Sequence, residues 1–150
     1  MSASVLWFSR YFNAFEDALT DGDWAPVAGC FAADAVYRVV GAPFACTLHG
    51  RDAIVAGFQR STGNFDARLD ERLLEIEQIT RMHRSELWVN LISGYGRDGA
   101  PPLRLPVAMR VRFSGREIAE LTDHYQPEYI AGGLHWMVSH AADLNPAYTA

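Results

Sequence analysis

The run AELTDHYQP, residues 119–127, sets one carboxylate between two large apolar side chains. Read as a strand whose side chains alternate between faces, it puts Ala119, Leu121, Asp123 and Tyr125 on one side and Glu120, Thr122 and His124 on the other. The second face has the character of a solvated surface, and the first is apolar except for Asp123. An ionised carboxylate is costly on such a face unless it is paired, hydrogen-bonded or given a task. Burial disfavours its charged form and raises its pKa, which suits it to take a proton from a carbon beside a carbonyl and return it elsewhere. Tyr125, Tyr11 and Tyr37 carry phenol hydroxyls able to hydrogen-bond the enolate that forms. Asp123 is therefore the candidate catalytic residue; the competing expectation is a structural carboxylate that accepts hydrogen bonds at a cavity floor.

The other reactive side chains stand in settings that argue for less. Cys30 and Cys46 form no CxxC pair and have no histidine at ligand spacing, which predicts free thiols in a reducing cytoplasm and no zinc site. His83, His135 and His140 share no metal-binding spacing, since 135 and 140 lie five apart and do not align on a helix. His49 reads as a loop or capping residue, and His124 as solvated or at an interface. Arg110 and Arg112 fall on the polar face of their strand, which predicts an exposed face or a salt-bridged dimer interface. No serine or cysteine sits in a recognisable triad setting.

The elements that must position Asp123 follow from periodicity. Val5, Phe8, Phe12, Phe15 and Leu19 repeat at three and four, the rhythm of a helix. TDGDW ends it and offers Asp23 as the cap of a short second helix, with Pro26 in its first turn and Trp24, Val27 and Phe31 facing inward. AADA then turns the chain into a strand over 35–41, and GAPFACTLHG reads as an irregular or hairpin-like link. RDAIVAGFQRSTG predicts a third helix with Asp52 in its first turn, Ile54, Val55 and Phe58 inward, and a glycine after its end. Beyond it the period changes to two, with strands expected near 72–80, 85–95, 103–113 and 117–126. The third is the plainest: Leu105, Val107, Met109, Val111 and Phe113 alternate with Pro106, Ala108, Arg110 and Arg112. In PEYIAGGLHWMVSHAADLNP, helical spacing broken by Gly132 and Gly133 predicts a bent or short C-terminal helix.

This order of helices followed by consecutive strands predicts an α+β fold, a curved antiparallel sheet packed against N-terminal helices around an apolar pocket. One domain over residues 1–150 is expected, with a core of 1–126 and a C-terminal helical extension of 127–150. Hydrophobic residues at 49% and charged residues at 21% exclude a disordered chain. A net charge of -5 without a basic block argues against nucleic acid as a partner. The N-terminus lacks the basic start and apolar run of a signal peptide, and no apolar run spans a bilayer, so no membrane partner and a cytoplasmic location are expected.

The order and spacing of FEDALTDGDW, CFAADAVYRV, LHGRDAIVAGF and VRFSGREIAELTDHY resembles the nuclear transport factor two-like superfamily, which includes ketosteroid isomerases and SnoaL-like polyketide cyclases. The resemblance covers roughly residues 8 to 126. It implies a cone-shaped fold with an apolar cavity for a hydrophobic small molecule, a homodimer through the outer sheet face and no obligatory cofactor, but no single reaction. The isomerases place a base aspartate on the first strand, a tyrosine on helix one and a protonated aspartic acid on the penultimate strand. Those positions correspond to Val39, Phe15 and Met109, so all three polar groups are absent and isomerisation by that mechanism is not expected. In the SnoaL-like cyclases a pocket-facing aspartate of the last strand is the general acid/base, and Asp123 stands at that position. The combined expectation is a proton-transfer enzyme of isomerase, cyclase or dehydratase type acting on a hydrophobic carbonyl-containing or polycyclic molecule. Its base is Asp123, and its pocket is lined by Tyr11, Phe15, Tyr37, Val39, Met109, Leu121 and Tyr125, with neither metal nor cofactor. The alternative is a non-catalytic ligand-binding or dimerisation module of the same fold.

Overall fold

The computed structural model describes residues 2–41 and 45–149. Helix α1, Ala3–Asp21, starts at Ser2, whose hydroxyl accepts from the Val5 amide at 3.4 Å, and stops at Gly22. Gly22 takes φ 74°, a left-handed conformation that glycine adopts without steric cost, and returns its N–H to the Ala18 carbonyl. Asp23 accepts from the Ala25 amide at 3.1 Å at the start of α2, which covers only Ala25–Ala28. Phe31, expected on that helix, instead opens strand β1, Phe31–Val40. Its backbone pairs there with Ile118, and this ladder contact outweighs the local helical signal.

The second half of the link after β1 is strand β2, Cys46–His49, antiparallel to β1 with Val39 opposite Cys46 and Val36 opposite His49. Part of that link, residues 42–44, lies outside the described residues. Helix α3, Arg51–Asn64, runs one residue past the glycine expected to end it. A single 3-10 turn, Asp66–Arg68, leads into four long strands: β3 (Glu71–His83), β4 (Glu86–Gly96), β5 (Leu103–Ser114) and β6 (Glu117–Tyr125). The sheet order is β2-β1-β6-β5-β4-β3.

The sheet is mixed, where an antiparallel one was expected: β1 and β6 run parallel, and every other pair is antiparallel. Parallel neighbours need a long connection, and the chain from Val40 to Glu117, through β2, α3 and the whole meander, supplies it. Within β6, pairing with β5 slips between Arg112–Glu120 and Phe113–Ile118, so Ala119 is the extra residue of a bulge. Ile118, 1% exposed, therefore takes the inner place that strict alternation gave to Ala119. Thr122, expected on a solvated face, is buried because Arg38 and Arg110 flank it in register and their long stems cover it.

The outer face carries ion pairs that cross strands. Glu120 lies between Arg38 at 3.3 Å and Arg112 at 2.7 Å, and Glu86 between Arg110 at 2.6 Å and His83 at 3.0 Å. On the inner face Phe8, Phe31, Tyr37, Ile54, Phe58 and Leu121 form the main core between sheet and helices. Helix α4, Pro127–His140, is continuous through both glycines. A Cβ on Gly133 would sit 3.1 Å from the Leu105 Cδ2, so its bare backbone is what lets α4 settle on β5, beside a second core of Phe65, Leu103, Leu105 and Trp136. Among the described residues no helix is long and apolar enough to cross a membrane.

After α4 the chain doubles back across α3 as a strap. The Asn145 amide donates to the Asn64 carbonyl at 3.2 Å, Ser61 Oγ to the Pro146 carbonyl at 2.7 Å, and Arg60 Nη1 to the Tyr148 carbonyl at 2.6 Å.

Candidate functional site

Strand β6 lies inside the sheet, and the register places Asp123 directly between Val39 of β1 and Met109 of β5. Its side chain faces the helices. Tyr37, two residues before Val39 and hence on the same face, donates its hydroxyl to Asp123 Oδ2 at 2.6 Å. The other oxygen, Oδ1, is the only buried side-chain polar atom among the described residues that has no hydrogen-bond partner. Removal from water raises the Asp123 pKa to about 6, while the Tyr37 hydrogen bond favours the ionised form and works in the opposite direction.

The carboxylate opens on a cavity of about 100 Å³. Of the residues expected to line it, Tyr11, Phe15, Tyr37, Met109 and Tyr125 are on its wall with Asp123. Val39 and Leu121 are not: at 3% and 0% exposure they are packed into the core beside the carboxylate and present no surface to the cavity. Tyr11 is buried, and burial first and the nearby Asp123 charge second hold its pKa well above the ordinary phenol value. Tyr37 and Tyr125 are raised chiefly by burial as well, so each phenol stays neutral and able to donate near pH 7. His124 points to the opposite face, stacked on Trp88 with ring centroids 5.4 Å apart.

Three contributors were not anticipated. Phe58 of α3 sets its ring 5.0 Å from Tyr37, edge to face. Tyr148 of the strap places its ring 5.4 Å from Tyr37, where burial and the Asp123 charge raise its pKa and the Tyr37 hydroxyl lowers it. At another part of the wall Arg72 of β3 donates from Nε to Asp66 at 2.7 Å and from Nη1 to both Glu16 oxygens at 3.0 Å, and neither pair uses Nη2. Burial works against the charge on Arg72, but the two carboxylates outweigh it and hold the guanidinium protonated. Burial likewise dominates at Asp66, whose pKa is raised despite Arg72. Among the described residues Arg72 is the only basic side chain on the cavity wall, which also carries Asp66, Glu16 and Asp123, so the site favours neutral or cationic ligands over anions. Among the described residues no three His, Cys, Asp or Glu side chains converge as a metal site requires.

A family model for the SnoaL-like domain matches residues 10–121. The chain belongs to the SnoaL-like domain family. No curated protein matches it in sequence. Among solved structures, this SnoaL-like domain is similar to an NTF2-like protein of unknown function from Burkholderia pseudomallei, with a TM-score of 0.70, 18% identity and coverage of 91% of this chain and 98% of that one. It is similar to an LEH-like epoxide hydrolase from M. tuberculosis, with a TM-score of 0.63, 19% identity and coverage of 89% and 93%. It is also similar to a hypothetical protein with a ketosteroid isomerase-like fold from Catenulispora acidiphila, solved in complex with trimethylamine, with a TM-score of 0.62, 23% identity and coverage of 81% and 89%. At these identities the likeness is one of fold. Five cavity-wall residues, Asp123, Tyr125, Met137, Pro146 and Tyr148, fall beyond the matched span.

Proposed function

We propose that this SnoaL-like domain is a cofactor-independent proton-transfer enzyme acting on a small, neutral, apolar carbonyl compound, with Asp123 as the base. The observation that carries the reading is the asymmetry of the carboxylate: Tyr37 fixes Oδ2, while Oδ1 is buried and unpartnered on a residue of the cavity wall. A buried acceptor left open is expensive, and its persistence marks a position where a ligand group completes the bonding. In the reaction, Asp123 takes a proton from the carbon next to the carbonyl, the C–H electron pair becomes a carbon–carbon double bond, and the π pair of the carbonyl moves onto its oxygen. Tyr11 donates a hydrogen bond to that oxygen, and the proton returns to the same or a conjugated carbon. With a pKa of about 6 the base is mostly ionised at pH 7, so turnover rises with pH through that value.

The cavity also narrows the substrate. An apolar cavity of roughly 150 Å³ holds one benzene ring, so a space of about 100 Å³ takes a short chain or small ring, not the polycyclic molecule considered from the sequence. A cytoplasmic location, a single domain and a homodimer through the outer sheet face complete the proposal. A second reading, ligand binding without chemistry, draws on the loss of polar groups at Phe15, Val39 and Met109 and on the trimethylamine complex of the Catenulispora protein.

The deciding experiment follows the hydrogens next to the carbonyl of 2-butanone, small enough for the cavity, in D2O by proton NMR. The expected result is exchange accelerated over buffer by the native protein and slowed at least 100-fold in Asp123→Asn. Equal exchange in both proteins overturns the proton-transfer reading; binding of the ketone without exchange supports the second.

A further inference from the structure

A second cavity, of about 300 Å³, lies beside the first on the other side of the C-terminal strap. The two share three wall residues, Met137 of α4 and Pro146 and Tyr148 of the strap. Apart from these, the second is lined by Ala45, Cys46, Leu134 and Ala147 and by the neutral polar residues Asn145 and Thr149, and no charged side chain faces it among the described residues. We infer that the two cavities are chambers of one ligand site, divided by Tyr148, with a carbonyl head held beside Asp123 and an unbranched apolar tail extending under the strap. The inference rests on the Asp123 reading for its head group and on the cavities alone for its tail.

The way the strap is fastened makes the division movable. Its anchors are main-chain groups: Ser61 holds the Pro146 carbonyl, Arg60 the Tyr148 carbonyl, and the Asn145 amide reaches Asn64. The Tyr148 side chain is held only by its packing on Tyr37 and Phe58 and by its hydrogen bond to the Tyr37 hydroxyl, so a change of rotamer trades these contacts while the backbone anchors stay in place. On the α4 side the wall is Met137, an unbranched side chain that reshapes readily around a guest. The site chamber is too small for any extended ligand, and the larger space next to it has, among the described residues, no charged group and only Asn145 and Thr149 as polar additions to a mostly apolar wall. Each chamber supplies what the other lacks. Tyr148 is then the residue that sets ligand length.

The test uses a homologous series of methyl ketones, 2-butanone to 2-undecanone, titrated calorimetrically into the full chain. Affinity is expected to climb about fourfold per methylene buried, flattening where the chambers are full. Tyr148→Ala should raise the affinity of 2-undecanone relative to that of 2-butanone at least tenfold over the native ratio. Leu134→Phe, which fills only the second chamber, should abolish the gain from chain length and leave 2-butanone unchanged. A long-to-short affinity ratio that neither substitution alters overturns the inference. Exchange of 2-butanone reports separately on Asp123: lost exchange with the length dependence intact refutes the proton-transfer reading alone, and intact exchange with an unaltered ratio refutes the shared site alone.

Discussion

Replacing Asp123 by asparagine should make the protein more stable at neutral pH while removing its activity. The folded state holds the carboxyl at a pKa of about 6 against an ordinary 3.8, a gap of about two units, and each unit corresponds to about 1.4 kcal/mol. Between these two values the unfolded chain has released the proton and the folded one still binds it. Stability therefore falls as pH rises through that window, by about 3 kcal/mol in all, and the loss is complete above pH 6. Asparagine never ionises, and its side-chain carbonyl still offers an acceptor to the Tyr37 hydroxyl, so Asp123→Asn escapes this term. The assay is urea unfolding of both proteins at pH 4 and pH 7.5. Taking the difference between proteins at each pH cancels the other titrating groups, and that difference should move in favour of the variant by about 2.5 kcal/mol between the two pH values, since the unfolded carboxyl is already more than half ionised at pH 4. A difference that stays constant, or moves the other way, refutes the claim that burial dominates at this carboxyl.

Three further outcomes test the surroundings. Tyr37→Phe removes the one hydrogen bond favouring the ionised carboxylate, so the Asp123 pKa should rise above 6 by about one to two units, read by carboxyl carbon NMR; a fall refutes the arrangement. Arg72→Met strands the buried Asp66 and the partly exposed Glu16, and should cost about 3 kcal/mol in denaturant unfolding; a loss below about 1 kcal/mol means the cluster contributes little. Gly57→Ala sets a methyl 2.5 Å from Leu48 Cδ1 and 3.2 Å from the Tyr148 carbonyl, so it should destabilise by about 1–3 kcal/mol and speed hydrogen exchange at the Asn145 amide, and unchanged exchange there refutes the contact.

How much of this was legible in the sequence depended on range. Period-two alternation in LPVAMRVRF marked the inner face of β5, and the same rule put Asp123 and Tyr125 on the cavity side of β6. The rule failed at Ala119 and Ile118, because a bulge shifts alternation by one residue and leaves no trace in composition. The parallel pairing of β1 with β6 is likewise a decision of the whole topology, and no local signal announces it. Tyr148 escaped notice because it sits in an aperiodic tail, where an isolated aromatic among small and polar residues was its only mark. Arg72 could be seen to alternate with its neighbours, but its partners Glu16 and Asp66 lie on other elements, and their convergence is tertiary. Val39 and Leu121 show the limit of face assignment: sharing a side of the sheet with Asp123 does not give a residue access to the cavity.

Val39, Asp123 and Met109 stand in register on three neighbouring strands, about 4.8 Å apart from one to the next. The outer two are the positions where the resemblance to the isomerases places carboxyl groups, and here both are apolar while the middle one is acidic. The sheet thus offers three sockets at one depth, and an acid can be handed sideways between them while the surrounding framework stays as it is. Chemistry in such a fold can drift across strands by pairs of substitutions, a gain at one socket and a loss at the next. Two relatives can then act on the same bond with residues that no sequence alignment would equate.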